Sequence, residues 1–156
     1  IITVRIWLSE RTEHRVYKIT KVEQLTETYT HGRANAILLP YVIEYNASKP
    51  TKFTTFPKYE KFVADKKYAK IAQFIGVGGK NTEESVRNLI EAIKKLEREL
   101  SMPMSIKECG VDEEQFFSNL QRLSENAHED QCTTANPRYP LIDEIKQIYT
   151  RAYYGK

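Results

Sequence analysis

The segment His31–Asn46, HGRANAILLPYVIEYN, constrains this chain more than any other. Small residues open it, a nearly unbroken apolar run follows, and a polar residue stops it. Ala34, Ile37, Leu38, Tyr41, Val42 and Tyr45 recur at three- and four-residue steps, which is helical spacing. Apolar residues occupy more than one face, so the pattern predicts a buried helix rather than a surface one. Pro40 lies inside the run. It offers no N–H and crowds the preceding turn, so a kink is expected near Ala36–Leu39. A single imidazole, His31, stands at the start, flanked by Gly32 and Ala34, which leave room for a close neighbour. Its plain reading is a polar helix-start residue packed under a loop.

Other features bound what the chain can be. Its 156 residues suit one domain with a real core. A net charge of +3, with both signs mixed along the chain, gives no basic face for nucleic acid. No window approaches the roughly 18 apolar residues of a membrane span. No charged start precedes an apolar block, so no secretory leader is expected. Cys109 and Cys132 are the two cysteines and read as reduced thiols of a cytoplasmic protein. The glycine cluster Gly76-Val77-Gly78-Gly79-Lys80 invites comparison with a phosphate cradle, but it lacks the Walker spacing and the hydroxyl after the lysine. It reads as a helix stop and a turn.

The other elements follow in order. Residues 1–8 have the β-branched and aromatic content of a strand, and residues 13–30 fit helix or strand equally. Residues 47–57 form a loop, and 58–63 a short helix or irregular arm. Asp65 reads as the N-cap of a helix with a Tyr68, Ile71, Ala72, Ile75 stripe that Gly76 ends. Asn81 caps the clearest helix, with Glu84 placed to complete a capping box. Its expected buried face is Val86, Leu89, Ile90, Ile93, Leu96 and Leu100. Arg87, Lys94, Lys95, Glu97 and Arg98 are expected to face water. Met104–Gly110 reads as a turn. Asp112 and Gln115 repeat the capping pattern before Phe116, Phe117, Leu120, Leu123 and Ala127. His128 is expected on the surface, since it, Glu129 and Asp130 diverge around a helix and cannot converge on one ion. Cys132–Pro140 reads as a loop in which Asn136 bonds locally and Arg138 pins carbonyls or a carboxylate. A last helix spans about Leu141–Tyr153. Residues 31–156 are therefore expected to be mainly α-helical.

Particular wording carries more information than periodicity. His31-Gly32-Arg33-Ala34-Asn35-Ala36 followed by a Leu-Leu-Pro run resembles the segment that bears the last metal-binding histidine of the iron-dependent alcohol dehydrogenases. The resemblance continues through Ser48-Lys49-Pro50-Thr51-Lys52, Phe56-Pro57-Lys58-Tyr59, Tyr68-Ala69-Lys70-Ile71-Ala72, Pro103–Gly110 and Asp130–Pro140. It looks like the closing part of the bifunctional aldehyde-alcohol dehydrogenase subfamily and covers residues 31–156. Residues 1–30 form a divergent segment outside it.

The resemblance implies the helical metal-binding domain of the iron-dependent alcohol dehydrogenase and dehydroquinate synthase-like type. It implies an NAD-linked oxidoreductase that interconverts acetaldehyde and ethanol, with Fe(2+) or Zn(2+) polarising the substrate oxygen. It implies a short-chain alcohol or aldehyde as substrate, no nucleic acid or membrane partner, and a homo-oligomer or filament. The family's metal is held by one Asp and three His. Of these only His31 has a counterpart here; Tyr17 stands at the spacing of an earlier ligand, and His14 is three residues too early. Catalytic and nucleotide-binding residues are not identified, and the chain alone is expected to be incomplete and inactive. The reading of a different class is a truncated, non-catalytic helical module that only oligomerises or docks onto a full-length homologue.

Overall fold

A computed structural model describes residues 31–50 and 62–156. The expected strand at residues 1–8, the ambiguous segment 13–30 and His14 lie outside the described residues. Within them the structure is helical, without strands. The elements are α1 (His31–Ala47), α2 (Ala64–Phe74), α3 (Thr82–Glu99), α4 (Glu113–Glu129), a short 3-10 helix (Gln131–Ala135) and α5 (Ile142–Tyr154).

α1 is the central rod. It packs against α2, α3 and α5, while α2 pairs with α3 and α4 pairs with α5. Ile37, Leu38, Pro40, Tyr41, Ile43 and Asn46 are all buried, which matches a helix apolar on several faces. The helix continues through Pro40. Leu38 and Tyr41 join Phe116, Ile145, Ile148, Tyr149, Ala152 and Tyr153 in one core. The ring of Tyr153 stacks on Phe116 at 4.4 Å, and its hydroxyl donates to the Val111 carbonyl at 3.0 Å. The two phenylalanines of α4 are thus core, not an exposed stacking platform.

The helix ends explain themselves locally. Asn81 Oδ1 accepts the Glu84 N–H at 2.8 Å and Asp112 accepts the Gln115 N–H at 3.0 Å, so each N-terminus has a side-chain acceptor. Gly76 leaves α2 at φ 81°, a conformation that a residue without Cβ adopts freely.

Several expectations are corrected. α2 is preceded by Val63, not capped by Asp65, whose carboxylate lies inside the first turn and accepts the Lys66 N–H. Ala64, Ala69 and Ala72 form its buried stripe, whereas Ile71 and Ile75 face outward and Phe74 is 91% exposed. Glu84 reaches back to the Lys80 N–H at 2.6 Å, one residue beyond the cap. The 130–140 region is not all loop, since Asp130 Oδ1 accepts the Cys132 N–H and starts a 3-10 helix. On α3, Leu96 and Leu100 are exposed and Glu97 is buried, the reverse of the reading from spacing.

Candidate functional site

His31 is the first residue of α1, followed by exposed Gly32 and Arg33 and half-buried Ala34. The opposite end of the same helix is anchored in a dense polar cluster. Asn46 and Asn136, both buried, form a reciprocal amide pair: Asn136 Nδ2 donates to Asn46 Oδ1 at 2.7 Å and Asn46 Nδ2 donates to Asn136 Oδ1 at 3.2 Å. Tyr68 on α2 stands 3.5 Å from the Asn46 amide nitrogen. The pair joins α1 to the segment after the 3-10 helix, with the polar atoms satisfying one another out of water.

Arg138 adds a second tie. Its Nη2 meets Glu144 Oε1 at 2.7 Å and its Nη1 donates to the Tyr45 carbonyl at 3.2 Å. The guanidinium lies over the Tyr45 ring, 4.0 Å from the centroid. Glu144 is shared further, accepting the Tyr45 hydroxyl at 2.8 Å and the Leu141 N–H at 2.9 Å. Burial pushes the Glu144 carboxyl up, but the Leu141 N–H, the Tyr45 hydroxyl and Arg138 together outweigh it and hold the group below the usual glutamate range. Burial and the Glu144 hydrogen bond push the Tyr45 phenol up. Arg138 therefore has the structural role expected of it. Its partners Tyr45 and Glu144 were not foreseen, although a glutamate at the third position of a helix is a capping signal.

His128 is not on the open surface. Its Nδ1 is 3.2 Å from the Pro140 carbonyl and its Nε2 is 3.2 Å from the Tyr139 hydroxyl. A carbonyl only accepts, so Nδ1 carries a proton towards Pro140, and Nε2 shares a hydrogen bond with the Tyr139 hydroxyl. Glu129 is exposed and Asp130 caps the 3-10 helix, so the three adjacent residues serve three separate purposes. Cys132 is a half-buried free thiol.

The glycine cluster has its donors engaged. The Gly79 N–H donates to Ser85 Oγ at 2.9 Å, and Glu84 takes the Lys80 N–H. A carboxylate thus sits where a phosphate would have to bind. Beside it an open groove of about 450 Å³ runs along α3, lined by Val77, Gly78, Asn88, Glu91, Ala92 and Lys95 among others. Among the described residues no three His, Cys, Asp or Glu side chains converge on a point that would hold a metal ion. No described helix is long and apolar enough to cross a membrane.

Comparison with known proteins gives a consistent result. The C-terminal profile of the Fe-containing alcohol dehydrogenase family matches residues 22–153. The bifunctional aldehyde-alcohol dehydrogenase of Escherichia coli strain K12 is 47% identical over 129 residues, covering 81% of this chain and 14% of that protein. The aldehyde-alcohol dehydrogenase of Streptococcus pneumoniae serotype 4 is 42% identical over 125 residues, covering 80% of this chain and 14% of its own length. Among solved structures, the iron-containing alcohol dehydrogenase of Thermococcus thioreducens superposes with a TM-score of 0.67 at 33% identity, over 86% of this chain and 30% of that one. The chain thus spans about a seventh of the curated relatives it matches.

Proposed function

This chain belongs to the Fe-containing alcohol dehydrogenase family, matching its C-terminal part, and from that premise we propose that it is the helical portion of an NAD-linked, iron-dependent alcohol dehydrogenase module that interconverts acetaldehyde and ethanol. The observation that carries the reading is His31 at the head of the buried rod α1, inside the segment His31–Asn46. On this reading His31 donates one nitrogen to Fe(2+) or Zn(2+). A divalent site of this kind needs about three protein donors and an open position. The described residues do not assemble such a set. The remaining donors and the nucleotide site would come from outside them, and the isolated chain would turn over no substrate. Its contribution is a packed frame that fixes where one imidazole stands.

A chimera tests this. Residues 31–156 replace the matching C-terminal part of the E. coli aldehyde-alcohol dehydrogenase, and ethanol oxidation is followed with NAD and with NADP as hydride acceptor, alongside metal content. The expected result is NAD reduction in the chimera. His31→Ala should lower bound iron and activity by at least roughly a hundredfold, since loss of even an outer-shell partner costs about ten- to a hundredfold. An active chimera whose iron content is untouched by His31→Ala would remove His31 from the site. A folded but inert chimera would favour the non-catalytic docking module instead.

A further inference from the structure

The end of α3 is inverted in polarity. Leu96 and Leu100 are 54% and 65% exposed, whereas Glu97 is 6% exposed. Glu97 Oε1 is shut off from solvent and has no hydrogen-bond partner. Two effects oppose a charge there: burial without a hydrogen-bond partner, and the partial negative charge of a helix C-terminus. Burial raises the Glu97 carboxyl above its ordinary range, and Lys94 and Arg98 on the same helix pull it back only in part. Lys94 lies 3.9 Å from Glu91, and among the described residues neither cation forms an ion pair with Glu97.

Glu97 acts electrostatically on Tyr41 of α1, and three charged groups from other elements act on the same ring. They are Glu44 on α1, Arg151 on α5 and Glu108 in the turn after α3. Arg151 is paired with Glu44 at 2.7 Å and sits over the Tyr41 ring, and Glu108 accepts the Met104 N–H at 2.7 Å. All three are therefore engaged elsewhere. The chain leaves α3 through Ser101 at φ 54°, a left-handed conformation that costs a residue with a Cβ. The Met102 N–H then closes the turn onto the Glu97 carbonyl at 2.9 Å. The strained exit and the buried acid are thus joined by one backbone hydrogen bond.

We propose that Glu97 is a proton-dependent latch on the end of α3: protonated, it stays sealed against α1; ionised, it moves out to water and the exit through Ser101 opens with it. An acid whose folded value is raised binds its proton more tightly in the native state, so the contribution of Glu97 to stability is largest in acid. It falls as pH rises from the ordinary glutamate value through the raised one, then levels off.

The test uses the full 156-residue chain. The Glu97 side-chain carboxyl is titrated by carbon NMR, and amide exchange at Leu100–Met102 is measured across pH with intrinsic rates divided out. The carboxyl should titrate above the ordinary glutamate range, and the three amides should lose protection over the same interval. In Glu97→Gln their protection should not change with pH, and the fall in melting temperature that the parent chain shows over the same pH interval should be smaller. A carboxyl titrating at or below the ordinary range, or a variant whose exchange follows the parent's, would overturn the latch. If Glu97→Gln does not fold, the carboxyl titration of the parent chain decides alone.

Discussion

Two glutamates mark opposite ends of what an environment does to a carboxyl group. Glu97 is buried with an unpartnered oxygen, while Glu144 has Arg138, Tyr45 and the Leu141 amide around it. Their pH effects have opposite signs. Glu144 has a lowered folded value, so its contribution is present above the ordinary glutamate range and is lost as pH falls through the lowered value. Urea midpoints measured from neutral to acid pH should show Glu144→Gln losing stability at neutral pH and part of its acid sensitivity. Arg138→Ala removes the ion pair, the bond to the Tyr45 carbonyl and the stacking contact together. A loss of about 2 kcal/mol is expected by chemical denaturation, because the pair is largely but not fully out of water. Arg138→Lys should recover only a minor part, since an ammonium cannot reproduce the fork and the ring contact. The role of Arg138 was readable from its residue type in a Pro-containing loop, whereas Asn136, read as bonding locally, also ties the loop to Asn46 of α1. Their partners were not readable, because a hydrogen bond between Arg138 and Tyr45, or between Asn136 and Asn46, joins residues far apart in sequence.

At the level of elements, capping chemistry was the most legible signal. Asn81 and Asp112 stand where the sequence put them, because an N-cap depends on only three or four neighbouring residues. Asn81→Ala should cost about 1 kcal/mol in urea unfolding and raise amide exchange in the first turn of α3. Periodicity located the helices but misjudged which residues of α2 and α3 are covered. A stripe of apolar residues says which face prefers burial; how far a neighbouring helix extends along it is a tertiary matter. α2 buries its alanines, so Ile71, Phe74 and Ile75 are left outside, and Leu96 and Leu100 remain uncovered at the far end of α3. His128 was misplaced for a similar reason. Its partners, Tyr139 and Pro140, arrive from the segment after the 3-10 helix and not from its own helix.

For the molecule as a whole, the mainly helical character was set by the central segment His31–Asn46, and its family by the exact order of residues there and in Asp130–Pro140. The outward phenylalanine and its neighbours on α2 give the folded chain a sticky side. Phe74→Glu should leave the melting temperature within about 2 °C, as surface changes of up to roughly 0.5 kcal/mol do, while raising the concentration at which light scattering reports association. A large fall in melting temperature would mean that Phe74 is covered in solution.

The rod α1 is held hard at one extremity, by the Asn46–Asn136 amides and by Arg138 at the Tyr45 carbonyl, and it begins with His31 at the other. At 1.5 Å per residue that arm is about 22 Å long, so a tilt of three degrees at the pivot swings the tip by roughly 1 Å. Reactive groups tolerate about half of that. On the proposed metal reading of His31, substitutions at Asn136, at the far end of the helix, would act like a misaligned gunsight, spoiling aim at the muzzle while the barrel itself stays sound.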